Sequence, residues 1–253
     1  MLPEKSWRGE IVMQFITLQF LCYFFGMVAV ALLHRLGVAG FRQEAGLGIV
    51  LLATLCFQGV TWILIPFFLR QHQVNWRDAF GFRGTNLKRA LAVAAAVVVG
   101  ILPVAWLLQG ASIAVLEKIG WPVEDQAAVL LFAGAKSAWL KIYLGAFAVV
   151  IAPVAEEFIF RGVLFPFVKQ LGFPKSAWLG VSALFALIHF DAGTFVPLFA
   201  LALTLTWLYE FTGNLFAPIF AHSLFNAVNL CVLLFQNQLN DLLQRLHNLL
   251  HLA

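Results

Sequence analysis

LGAFAVVIAPVAEEFIFRG, residues 144–162, sets two adjacent carboxylates and an arginine at the end of a run with no other charge. The rest of the chain has the same character. Its 253 residues are 62% hydrophobic and 11% charged. A soluble domain has about 45–50% apolar and about 25% charged residues. A water-soluble globule is therefore excluded. A membrane-spanning helix needs ~20 mostly apolar residues, and several such windows exist. The fold class is all-α: a polytopic integral membrane helix bundle.

Seven apolar segments follow from the pattern, at about 11–33, 46–69, 90–109, 138–168, 176–190, 194–211 and 215–235. The fifth is short. The fourth contains Pro153, which withholds a hydrogen bond from the Val149 carbonyl and predicts a kink. The mixed stretch 110–137 holds Glu117, Lys118, Glu124, Asp125 and Lys136 and is broken at Trp121-Pro122. It reads as an excursion outside the bilayer; read as a span, it would make eight. At the C-terminus, Leu239, Leu242, Leu243, Leu246, Leu249 and Leu250 recur at helical spacing opposite Asn240, Asp241, Gln244 and Arg245. That pattern predicts an amphipathic helix.

The net charge of +4 is dispersed over the loops and does not point to nucleic acid. Lys5, Arg8, Arg70, Arg77, Arg83, Lys88, Arg89, Lys169 and Lys175 fall on one side of a seven-span bundle. The other side is poorer in lysine and arginine, so the first is expected in the cytoplasm and the protein in the plasma (inner) membrane. Cys22, Cys56 and Cys231 lie in apolar stretches without a CxxC pair, which indicates neither a disulfide frame nor a thiolate metal site.

Ionisable groups inside spans are costly and face the bundle interior or a wet cavity. They are Glu156, Glu157, Arg161, His189 and His222, with Asn226 and Asn229 nearby. Glu157 and Arg161 are four apart, glutamate first, the favourable order for an intrahelical ion pair. Glu156 is turned ~100° away. Its neighbours a turn away are Ala152, Pro153, Ile159 and Phe160, so it has no local counter-ion. An uncompensated carboxyl in such a place suits a general base or acid. His189 alone reads more simply as a structural group. His222, Asn226 and Asn229 share one helix face, which on its own fits interhelical hydrogen bonding.

Depth changes this balance. At ~1.5 Å per residue, Glu156 lies ~18 Å from the end of segment four, His189 ~20 Å from the start of segment five and His222 ~10 Å from the start of segment seven. All three helix ends belong to one side, so the groups can meet inside the bundle. A carboxylate, two imidazoles and an amide form a set able to activate water and stabilise an oxyanion.

In order along successive helices stand Glu156-Glu157-x-x-x-Arg161, Phe185-x-x-x-His189 and His222-x-x-x-Asn226. Together these resemble the CPBP family of type II CAAX-type prenyl proteases and bacteriocin-processing or abortive-infection-related membrane proteins. The resemblance covers about 150–230. It divides the chain into N-terminal spans at 1–140, a CPBP-like core at 141–236 and the tail at 237–253. It implies an intramembrane peptidase acting on a membrane protein or peptide in the bilayer. Glu156 and His189 would activate water, His222 and Asn226 would form the oxyanion hole, and Glu157 and Arg161 would support them. No cofactor is implied. The alternative is zinc held by Glu156, His189 and His222, as His and Glu can do, although HExxH is missing. A non-enzymatic immunity, partner-binding or transport protein is the other reading. GxSG and GxGD motifs are absent, so rhomboid-like and presenilin-like chemistry is not indicated. Prenylated substrates are not implied by these residues.

Overall fold

The computed structural model describes residues 6–41, 47–82, 87–123 and 127–251, without the side chains of 47, 127, 128 and 237–251. Every regular element among the described residues is helical. The helices are α1 (Gly9–Arg35), α2 (Gly48–Gln71), α3 (Leu87–Lys118), α4 (Ala127–Gly134), α5 (Ala138–Gln170), α6 (Pro174–Leu187), α7 (Ala192–Thr212) and α8 (Phe216–His251). Six are long and apolar enough to cross a bilayer: α1, α2, α3, α5, α7 and the Phe216–Gln236 part of α8. The chain is an integral membrane protein.

All seven expected segments are helical, but the fifth is too short to count by length. The 14 residues of α6 rise about 21 Å, against a hydrocarbon core of about 30 Å. The excursion at 110–137 divides in two. Residues 110–118 prolong α3, and α4 is a short helix of 8 residues. Glu124 and Asp125 lie outside the described residues. The tail is backbone-continuous with the last span as part of α8. Its leucine stripe also lies outside the described side chains.

One face of α3 is small and apolar. Ala90, Ala94, Val98, Leu102 and Ala105 pack on Leu201, Leu205 and Leu208 of α7 and on Ala217, Ala221 and Phe225 of α8. Small residues let helices approach closely where lipid gives no hydrophobic drive between them. In α2 and α5 the helix widens locally. The N–H of Val60 reaches back five residues to Leu55, and the N–H of Ala152 to Phe147. Such π turns free carbonyls for other partners. In α2 the Phe57 carbonyl accepts from Gln19 Nε2 of α1 at 3.0 Å and from the Thr61 hydroxyl at 2.8 Å.

One end of the bundle is closed by side chains remote in sequence. The Trp7 N–H donates to Gln170 Oε1, and the Trp7 indole donates to the Gly162 carbonyl. The Arg8 N–H donates to His72 Nε2, while His72 Nδ1 faces the Phe68 carbonyl. Burial lowers the pKa of His72, just past α2, which favours the neutral ring that can accept from Arg8. Lys169 pairs with Glu210, and the Leu215 N–H donates to the Phe80 carbonyl. The N-terminus, the segment after α2, the α5–α6 turn and the α7–α8 turn therefore share one side, as the seven-span reading requires.

The α7–α8 turn is sunk into the bundle. Leu215 approaches Gly162, which lies about 12 Å before the end of α5. The segment after α2 covers it, with Gly81 crossing directly over Gly213. A Cβ on Gly81 would stand 1.7 Å from the Gly213 carbonyl oxygen, and Gly81 has φ +73. Only glycine fits such a crossing. Phe80 is fully buried beneath α5, and a Cβ on Gly162 would come within 2.8 Å of its ring. Gly162→Ala is expected to cost about 1–3 kcal/mol through overpacking. Thermal unfolding in detergent would read it, and Phe80→Leu in the same chain should recover part of the loss. Wild-type stability for Gly162→Ala alone would contradict this packing.

Candidate active site

Glu156 and Glu157 leave α5 on different faces and meet different surroundings. The Glu157 side chain is 0% exposed and that of Glu156 is 12% exposed. Glu157 Oε1 accepts from Arg161 Nη1 at 2.8 Å, one turn along the same helix. The guanidinium has further partners on α7: Nη2 donates to the Ala202 carbonyl at 3.0 Å and Nε to Thr206 Oγ1 at 3.3 Å. The Thr206 hydroxyl donates in turn to Ala202. The Phe185 ring covers the guanidinium at 4.8 Å. A buried charge needs this combination of counter-ion and donors' acceptors to offset its lost hydration.

His222 of α8 stands between the two glutamates. Its Nδ1 is 3.0 Å from Glu157 Oε1, a hydrogen bond, and its Nε2 is 3.8 Å from Glu156 Oε2, too long for one. With Nδ1 donating to Glu157, Nε2 is left facing the Glu156 carboxyl. His189 lies just beyond the last residue of α6. Its Nδ1 is 2.8 Å from the Phe185 carbonyl. In the neutral ring that bond leaves Nε2 as the acceptor. Both imidazoles stand within electrostatic reach of Glu156.

Phe185 organises this cluster. Its ring packs on Phe160 at 5.2 Å, on His189 at 5.0 Å and on His222 at 5.6 Å. The FxxxH spacing thus puts one ring under both histidines and over Arg161. Phe185 entered the sequence reading only as part of the Phe185-x-x-x-His189 motif, without a contact assigned to it. Thr206 and the Ala202 carbonyl had no role there. Thr206 sits in a uniformly apolar stretch and is marked by no motif.

The polar stripe of α8 divides. His222 enters the cluster. Asn229 ties α8 to α3, accepting from Trp106 Nε1 at 2.9 Å and donating to the Phe225 carbonyl. Asn226 Nδ2 donates to the Ala148 carbonyl of α5 at 2.8 Å, below the glutamates. Among the described residues, no three His, Cys, Asp or Glu side chains are grouped to hold a metal ion. Nδ1 of His189 is engaged by the Phe185 carbonyl and Nδ1 of His222 by Glu157, which leaves Nε2 of each ring uncommitted.

The fold and cluster define a helical membrane protein with a carboxylate–imidazole site inside the bundle. Residues 137–228 match the family model described as type II CAAX prenyl endopeptidase Rce1-like. The resemblance to the CPBP family carried by the three motifs is borne out over this segment. A curated relative, "Uncharacterized protein YpbD" of Bacillus subtilis (strain 168), is 34% identical over 99 residues, which are 38% of this chain. The chain spans about half the length of that relative, 48%. No solved structure matches the chain.

Proposed function

We propose that the protein is an intramembrane endopeptidase that hydrolyses a peptide bond of a membrane-associated protein or peptide. The observation that carries this reading is the unequal treatment of two adjacent glutamates. Arg161 and His222 both engage Glu157 Oε1, while Glu156 is left partly open beside two imidazoles. A water held between Glu156 and His189 would lose its proton to the Glu156 carboxylate as its oxygen attacks the peptide carbonyl. The developing oxyanion would accept from His222 and Asn226. Collapse breaks the C–N bond, and the proton on Glu156 passes to the leaving amine. A donor role for His222 Nε2 requires hydrogen on both ring nitrogens, since Nδ1 is engaged with Glu157. Glu157 and Arg161 hold His222 in place. The side bearing Trp7 and Gln170 is the cytoplasmic one in this reading, because it carries the larger share of lysine and arginine.

The test is a comparison of peptide termini in membrane fractions from cells carrying the wild type and Glu156→Gln. Termini present only with the wild type support the reading, and identical sets in both overturn it. Metal dependence is tested separately. Cleavage of a membrane-embedded reporter peptide by purified protein is expected to persist after exhaustive chelation. Activity lost to chelator and restored by Zn²⁺ would instead make Glu156, His189 and His222 ligands.

A further inference from the structure

In the widened turn of α5 the Ala152 N–H bonds to the Phe147 carbonyl, five residues back. The next bond of that pattern would run from residue 153 to the Ala148 carbonyl. Residue 153 is proline and has no N–H to give. Asn226 Nδ2 supplies the missing donor at 2.8 Å from the neighbouring helix. A side-chain amide carries two hydrogens on one planar nitrogen. Committing one to Ala148 fixes the direction of the other. His222, one turn earlier on the same face, is likewise tied to α5 through Glu157.

We propose that Pro153 is a positioning residue for the oxyanion donor. By leaving the Ala148 carbonyl open, it gives Asn226 an acceptor and so aims the second amide hydrogen. The proposal rests on the peptidase reading for its catalytic part. The coupling between Pro153 and Asn226 does not depend on it.

Pro153→Ala restores an N–H that competes for Ala148 and loosens Asn226. In single-turnover cleavage of the reporter peptide, kcat is expected to fall at least about tenfold, short of the ~10²–10³ lost when such a donor is removed outright. KM should hardly change. In an Asn226→Leu background, Pro153→Ala should cause no further fall in kcat. The second readout is thermal unfolding in detergent without substrate. Asn226→Leu should lower Tm in the wild-type background and much less with Pro153→Ala, where the carbonyl has a backbone partner. Asn229→Leu is the control. Its amide bonds Trp106 and Phe225, so its Tm loss should be equal in both backgrounds. If Pro153→Ala does not fold, Pro153→Ser restores the same N–H and replaces it in the cycle. Equal Tm losses for Asn226→Leu in both backgrounds would overturn the proposal. Wild-type kcat in Pro153→Ala, or losses that multiply, would overturn its catalytic part. A wild type that cleaves nothing refutes the peptidase reading and leaves the Tm cycle to decide the coupling.

Discussion

Glu156→Gln is expected to remove cleavage and leave the protein as stable as the wild type. The side chain keeps its shape and loses only the capacity to take a proton. Its approach to His222 Nε2 is 3.8 Å, so no hydrogen bond is broken. A stability change within about 0.5 kcal/mol is expected where no named interaction is lost. General-base catalysis contributes about 10²–10⁴-fold, and single-turnover cleavage should fall by at least that factor. Detergent melting curves run beside the kinetics separate chemistry from folding. Cleavage at the wild-type rate would remove Glu156 from the mechanism.

Glu157→Gln should behave in the opposite way and act first on stability. Arg161 is buried, and its one ionic partner among the contacts described above is Glu157. Leaving a buried charge without its partner costs about 3–5 kcal/mol. The Ala202 carbonyl and Thr206 hydroxyl remain as acceptors, and they soften the loss without supplying charge. Exchanging both partners, Glu157→Leu with Arg161→Met, should recover much of the stability, because an apolar pair of similar volume needs no compensation. It should not recover cleavage, since His222 then lacks the oxygen that holds Nδ1. Thermal unfolding and reporter cleavage on the same samples make the comparison. A melting temperature unchanged by Glu157→Gln would show that Arg161 does not depend on this carboxylate.

Helical periodicity made much of the site readable in advance. The Glu157–Arg161 pair follows from a spacing of four within one apolar run, and the common face of His222 and Asn226 follows in the same way. Contacts between helices were not readable. Thr206 and the Ala202 carbonyl reach Arg161 only because α7 packs there, and nothing in its apolar sequence marks those positions. Pro153 was readable as an interruption. That the helix answers by widening, and that Asn226 fills the resulting vacancy, depends on how α8 lies against α5. Depth arithmetic placed His222 nearer its helix start than Glu156 is to its helix end. The discrepancy has a structural cause: the turn before α8 is sunk beneath Phe80 and Gly81, so α8 begins inside the bundle. The end of segment five was set three residues too late because apolar character continues through Ile188 and Phe190, after the helix has ended at Leu187. There Phe190 turns to φ 52, and Asp191 accepts from the Gly193 and Thr194 N–H groups to start α7.

The Trp7 clasp also sets an order of assembly. Trp7 is separated from Gln170 by 163 residues. At a synthesis rate of about 5–20 residues per second, roughly ten to thirty seconds pass between them. For most of that interval α1 and α2 already exist, and Trp7 can pack on Phe68 and His72 while its hydrogen-bond partners on α5 are still to come. Glu157 and Arg161 are subject to no such delay, since they lie on one turn and can neutralise each other as soon as α5 coils. Their histidine arrives later: His222 follows Glu157 by 65 residues, roughly three to thirteen seconds at the same rate. The ion pair therefore precedes the carboxylate–imidazole cluster built around it. The arginine serves as an escort that lets a glutamate enter the bilayer before the partner it will orient has been made.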